Sequence, residues 1–203
     1  MSDSEFQLRA RELAEAGRAL YGMGMVPATS GNFSARLEDG SLAITVSGRH
    51  KGRLSEDGIM PADADGQSLD GRRSSAETGL HVQIYRRVPG ARAVLHPHSV
   101  NATLLSRLLE GELTLSGYEL LKAFPGVDSH ESRVTVPVFA NDQDIDALAA
   151  RVDAWMDAHG PGVGYLIAGH GFYTWGENVA DALRHVEALE FLFACELKLR
   201  TLR

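Results

Sequence analysis

The chain has 203 residues, of which 44% are hydrophobic and 23% charged, and its formal net charge is −7. These values describe a globular protein long enough to bury one substantial core, so one domain over residues 1–203 is expected. They exclude the overall basic field of a nucleic-acid binder, and an anionic substrate must therefore meet local donors.

Cys195 is the one cysteine, which excludes an internal disulfide and a CxxC zinc knuckle; its apolar, helix-like surroundings predict a buried, inert thiol. The opening MSDSEFQLRARELAEAG lacks the apolar centre of a signal peptide, and no run approaches about 18 apolar residues. No membrane association is expected, and the expected compartment is the cytoplasm.

In chain order, Phe6, Leu8, Leu13, Leu20 and Tyr21 recur among charges and predict an amphipathic helix, with Ser4 as N-cap and Gln7 reaching back. NFSARL and LAITVS alternate around the turn EDGS and predict a hairpin, and the Gly- and Asp-rich residues 48–71 predict a loop with one short strand. SSAE, with Ser74 and Glu77, has the form of a capping box opening a helix through Tyr85, after which Pro89 and Gly90 lead into the strand ARAVLH. A helix follows His98, and RVTVPVFA reads as a strand. Ile145, Leu148, Val152, Trp155 and Met156 then set a helix that stops at Gly160. GYLIAG and FYTWG predict two more strands, and a long last helix from about 178 to 202 offers Val179, Leu183, Val186, Phe191 and Leu192 for burial. This interleaving favours helices packed on a mixed or antiparallel sheet over a doubly wound parallel one. The nucleotide fingerprints GxGxxG and GxxxxGKS/T are absent.

In AVLHPHSVNATLL, residues 93–105, an extended backbone sends His96 and His98 to one face, where both imidazoles can reach one ion. On a helix the same spacing turns them roughly 200° apart. Pro97 disfavours the helix at His96 and suits a strand end. An HxH pair can equally bond to backbone at a strand end, and a metal needs a third ligand. His170, between glycines in LIAGHGFYTW, supplies one, and three histidines with an open fourth position describe a catalytic site. Satisfied or surface positions are expected for His81 and His185 on helices and for His130 and His159 near element ends. His50, in a polar loop, has the same reading and can also touch a substrate.

TSGNFSARL, TVSGRHKGRL, SSAETGLH, VLHPHSVNATLL, GYELLKAF, NDQDI and YLIAGHGFYTWG span nearly the whole chain. In that order they resemble the class II aldolase and adducin-head superfamily, most closely the branch that dehydrates methylthioribulose 1-phosphate. One departure is Pro97, where the family often has threonine; it keeps the ligand positions and stiffens the backbone. The resemblance implies a three-layer α/β/α sandwich with a central, mainly antiparallel sheet, and a homotetramer with active sites near subunit interfaces. It implies one zinc ion (Zn2+) per subunit on His96, His98 and His170, and Glu119 of GYELLKAF as the catalytic acid and base. Glu77 corresponds to a carboxylate near the metal, a role that competes with its place in the capping box. Phosphate contacts map onto Ser30, Gly31, Asn32, Ser47, Gly48 and Ser75, whose segments also fit ordinary turn chemistry. Backbone amides and hydroxyls can bind phosphate without a net positive protein, and Arg49 and Lys51 either add charge or stay solvated.

The reaction so implied is loss of water from 5-methylthioribulose 1-phosphate, giving 2,3-diketo-5-methylthiopentyl 1-phosphate in methionine salvage. Glu119 takes the C3 proton and delivers one to the departing C4 hydroxyl. Two alternatives stay open: a zinc-dependent aldolase cleaving a sugar phosphate between C3 and C4, and a non-catalytic adducin-like interaction module. Phe124 and Phe172 are candidate neighbours of the methylthio group, and imidazole ligands also suit iron, nickel and copper.

Overall fold

The computed structural model describes residues 3–202. The helices are α1 (Asp3–Gly22), α2 (Thr78–Arg87), α3 (Val100–Leu108), α4 (Ile145–His159) and α5 (Val179–Thr201). The strands are β1 (Asn32–Arg36), β2 (Leu42–Thr45), β3 (Ile59–Ala62), β4 (Ala93–His96), β5 (Glu112–Leu115), β6 (Val134–Phe139), β7 (Gly164–Ile167) and β8 (Gly171–Gly176). They form one eight-stranded sheet in the order β3-β2-β1-β4-β8-β7-β6-β5. Among the described residues, β6 and β7 make the one parallel pairing, and the rest are antiparallel.

Side-chain alternation along the strands sorts the core into two layers of packing. Phe33, Leu95 and Phe172 face one side with Leu13 and Leu20 of α1, Leu105 of α3, and Leu189 and Leu192 of α5. Ile44, Val94, Tyr165 and Tyr173 face the other with Leu80 and Ile84 of α2 and Leu148 and Val152 of α4. The result is the expected three-layer sandwich, with a mainly antiparallel sheet between the helices. Side-chain caps start three helices: Ser99 accepts from Ala102 N–H at α3, Asp144 from Ala147 N–H at α4, and Asn178 from Asp181 N–H at α5.

Several expectations are corrected. Helix α1 already includes Asp3, so Ser4 lies within its first turn and not at the N-cap. Strand β5 (ELTL) is not among the predicted strands: it alternates, but over only four residues at the sheet edge, too short a run to stand out. Cys195 is half-buried on α5 rather than buried, and Phe191 of the same helix is 56% exposed.

The turn after β4 and the start of β8 approach closely. A Cβ on Gly171 would lie 2.3 Å from the Pro97 carbonyl oxygen, so only glycine lets Phe172 N–H donate to that oxygen at 3.2 Å. Gly171→Ala is expected to lower stability by about 1–3 kcal/mol, as overpacking does. A denaturant midpoint equal to that of the parent chain would show that the strand shifts without cost.

Candidate metal centre

β1 and β4 run antiparallel with Asn32 opposite His96, and β4 pairs on its other side with β8. The end of β4 therefore meets the beginnings of β1 and β8 at one end of the central strands. His96 closes β4, His98 follows Pro97, and His170 sits in the turn between β7 and β8. Their ring centroids are 4.5 Å apart for His96 and His98, 5.0 Å for His96 and His170, and 4.4 Å for His98 and His170. Nε2 of His98 lies 2.8 Å from Nε2 of His96. Glu77 joins them, with Oε2 3.3 Å from His96 Nε2 and Oε1 3.5 Å from His170 Nε2. One potential ligand atom from each of the four residues lies within 4.8 Å of the others.

The surroundings orient these groups. Nδ1–H of His96 donates to the Phe172 carbonyl at 2.8 Å, which leaves Nε2 with its lone pair toward the centre, and the ring stacks on Tyr173 at 4.0 Å. Burial, with His96 adding to it, pushes His98 down to about 2 and also lowers His170, so both rings are neutral, the form that ligates. Burial pulls Glu77 up. The nearby His96 and His170 and the hydrogen bond from the Asn32 amide outweigh it and hold the carboxyl well below its usual range. Neutral imidazoles beside an anionic oxygen fit a divalent cation with nitrogen and oxygen preferences.

Glu77 is not half of a capping box. It precedes α2 without a side-chain cap bond, while Thr78 hydroxyl and N–H both donate to the Ser75 carbonyl, at 2.7 and 3.2 Å. Ser74 instead bridges to Val46. The carboxylate turns away from its own helix because it gains an Asn32 side-chain N–H at 2.8 Å and two imidazoles.

A cleft of about 290 Å³ beside the centre is lined by Ser30, Gly31, Asn32, Ser47, Gly48 and Ser75, together with Lys51, Glu77 and His98. The six small or polar residues expected around a phosphate are thus brought together. Ser30 Oγ is buried there without a hydrogen-bond partner among the described residues. Lys51 is buried, donates to the carbonyls of Thr29 at 3.2 Å and Arg49 at 2.9 Å, and is pushed by burial down to about 8. A second cleft, about 510 Å³, shares Ser47, Ser75, Glu77 and His98 and adds His170 and Ile145.

Glu119 stands outside both clefts. Its side chain is 72% exposed, in a short 3-10 turn, and pairs with Lys122 at 2.5 Å and His130 at 3.8 Å beside Leu120 and Phe191. Phe172 and Phe124 do not line the clefts either: both are buried in the core on the far face, where Phe172 packs edge-on against Phe193. Their aromatic character draws them into the core. His50 packs its ring on Tyr21 at 4.7 Å, and His185 Nδ1–H donates to the Trp175 carbonyl. Sequence reading missed the engagement of Asn32 with Glu77 and of His81 with Asn32, because no spacing signals a contact between a strand and a helix so far apart in the chain.

A protein from Methylococcus capsulatus strain Bath named methylthioribulose-1-phosphate dehydratase is 63% identical to the chain over 199 residues, covering 98% of each. The crystal structure of YgbL from Escherichia coli superposes with a TM-score of 0.82 at 26% identity, covering 97% of this chain and 91% of that one. L-fuculose-1-phosphate aldolase from Thermus thermophilus superposes with a TM-score of 0.76 at 28% identity, covering 96% and 95%. The model of the class II aldolase and adducin N-terminal domain matches residues 11–197. By sequence and by fold, the chain belongs to the class II aldolase and adducin N-terminal domain family.

Proposed function

We propose that the chain is a zinc-dependent hydro-lyase that converts 5-methylthioribulose 1-phosphate to 2,3-diketo-5-methylthiopentyl 1-phosphate in methionine salvage. In this reading it works in the cytoplasm as a homotetramer. The observation that carries the proposal is the convergence of Glu77, His96, His98 and His170 beside a phosphate-sized cleft. The 63% identity to a protein of that name supports the choice of substrate.

His96, His98 and His170, with Glu77 beside them, would hold the ion, and zinc there would supply Lewis acidity to the substrate carbonyl. The loops at Gly31 and Gly48, with Ser30, Ser47, Ser75 and Lys51, bind the phosphate and fix the sugar chain across Glu77 and His98. Glu119 takes the proton from C3 and returns one to the C4 oxygen, which leaves as water; the resulting C3–C4 enol loses its hydroxyl proton and gains one at C4 to give the diketone, so the carbon skeleton and the overall redox state are kept. Because Glu119 lies outside both clefts of its own chain, a neighbouring subunit brings it to the centre. Sites at the interfaces of a homotetramer meet that requirement. The 28% identity to a fuculose-phosphate aldolase favours a second reading, in which the same cleft serves C3–C4 cleavage.

Incubating the zinc-loaded protein with methylthioribulose 1-phosphate should give one diketone retaining every carbon, read by mass; two fragments would establish the aldolase. Glu119→Gln should reduce turnover by roughly 100-fold or more with zinc still bound, as general acid–base catalysis implies, and near-normal turnover removes Glu119 from the mechanism. Lys51 is charged below about 8 and neutral above it, so anion binding is retained at lower pH and lost as pH rises. KM should rise by about tenfold per pH unit above that value in the parent enzyme and stay flat in Lys51→Met; parallel profiles would exclude Lys51 from phosphate binding.

A further inference from the structure

Behind the centre runs a chain of buried polar groups that neither the ligand set nor the phosphate cleft explains. Tyr85 OH lies 2.8 Å from Ser34 Oγ, and Ser34 Oγ lies 2.7 Å from His81 Nδ1. His81 Nε2 contacts Asn32 Oδ1, and Asn32 Nδ2 lies 2.8 Å from Glu77 Oε2. Ser34, His81 and Asn32 are all buried. Asn32 and Ser34 share one face of β1, and His81 follows Glu77 by one turn at the start of α2, so the strand fills the gap between two residues of the helix.

The chain has one direction, set at its end. A carboxylate accepts only, so Asn32 must offer it the amide N–H and keep Oδ1 toward His81. His81 must then carry its proton on Nε2, Nδ1 becomes an acceptor for the Ser34 hydroxyl, and Tyr85 donates to Ser34. Turning the amide over would set its oxygen against the carboxylate and its NH2 against the imidazole N–H, two unsatisfied contacts in a buried site.

We propose that His81 is a positioning residue for this centre: its Nε2–H locks the Asn32 amide in the orientation that serves Glu77, and so presents the Glu77 carboxylate to the three imidazoles. This rests on the metal-binding reading above and adds to it a residue that touches neither ion nor substrate. A histidine that only filled the core would leave ion affinity unchanged when replaced, whereas this one acts through Asn32 and Glu77.

The test is the zinc affinity of the full chain, measured by chelator competition in the parent, His81→Leu, His81→Gln, Glu77→Gln and the His81→Leu/Glu77→Gln double variant. His81→Leu should weaken zinc binding by about 10–100-fold, the usual range for a residue that orients a ligand. His81→Gln, which keeps an N–H donor near the place of Nε2, should recover most of that loss. In the Glu77→Gln background the same His81→Leu change should alter affinity by less than about twofold, because the path it acts through is already cut. If His81→Leu does not fold, His81→Asn, which keeps a polar group toward Ser34 and none toward Asn32, enters the cycle in its place. Unchanged zinc affinity in a folded variant, or equal losses in both backgrounds, overturns the proposal and leaves the metal centre standing. A parent chain that binds no zinc overturns both.

Discussion

Lone pairs from three imidazoles and a carboxylate, crowded within 4.8 Å of one another in a partly buried setting, form the constraint on which the rest of this molecule depends. Such groups repel unless a cation or a shared proton lies between them. Nδ1 of His96 is taken by the Phe172 carbonyl, so Nε2 is the nitrogen this ring turns toward the other three groups, 2.8 Å from Nε2 of His98.

The fold places these groups by strand order. β4 lies between β1 and β8, antiparallel to both, so its last residue stands opposite the first of β1 and near the start of β8. The same end of the strands receives the start of α2 with Glu77. The close passage of Gly171 past Pro97 draws the His170 turn against the end of β4. The two helical layers keep water from the strands on which the centre rests.

Much of this could be read from the residues, for reasons that differ from place to place. His96 and His98 were legible because a strand has period two and Pro97 rules against a helix. The hairpin of β1 and β2 was legible from alternation around EDGS, and α4 from its apolar spacing up to Gly160. SSAE misled, because a capping box and a carboxylate beside a metal need the same residue at the same helix end, and only tertiary neighbours decide where it turns. His81 was expected to be satisfied, and it is, but its partners come from a strand 47 and 49 residues away in the chain, a contact that no local pattern encodes. Glu119 was visible by resemblance alone, since within one chain it is an exposed side chain of a short turn.

That exposure has a consequence for how the fold diversifies. The four candidate ligands are interlocked at the ends of the central strands, where altering one side chain disturbs several, whereas the turn bearing Glu119 is a surface element. Under the role proposed for Glu119, new bond-making or bond-breaking chemistry is installed by exchanging that turn while the inherited inner framework is left alone. One ancestral scaffold can in this way give rise to lyases of more than one kind.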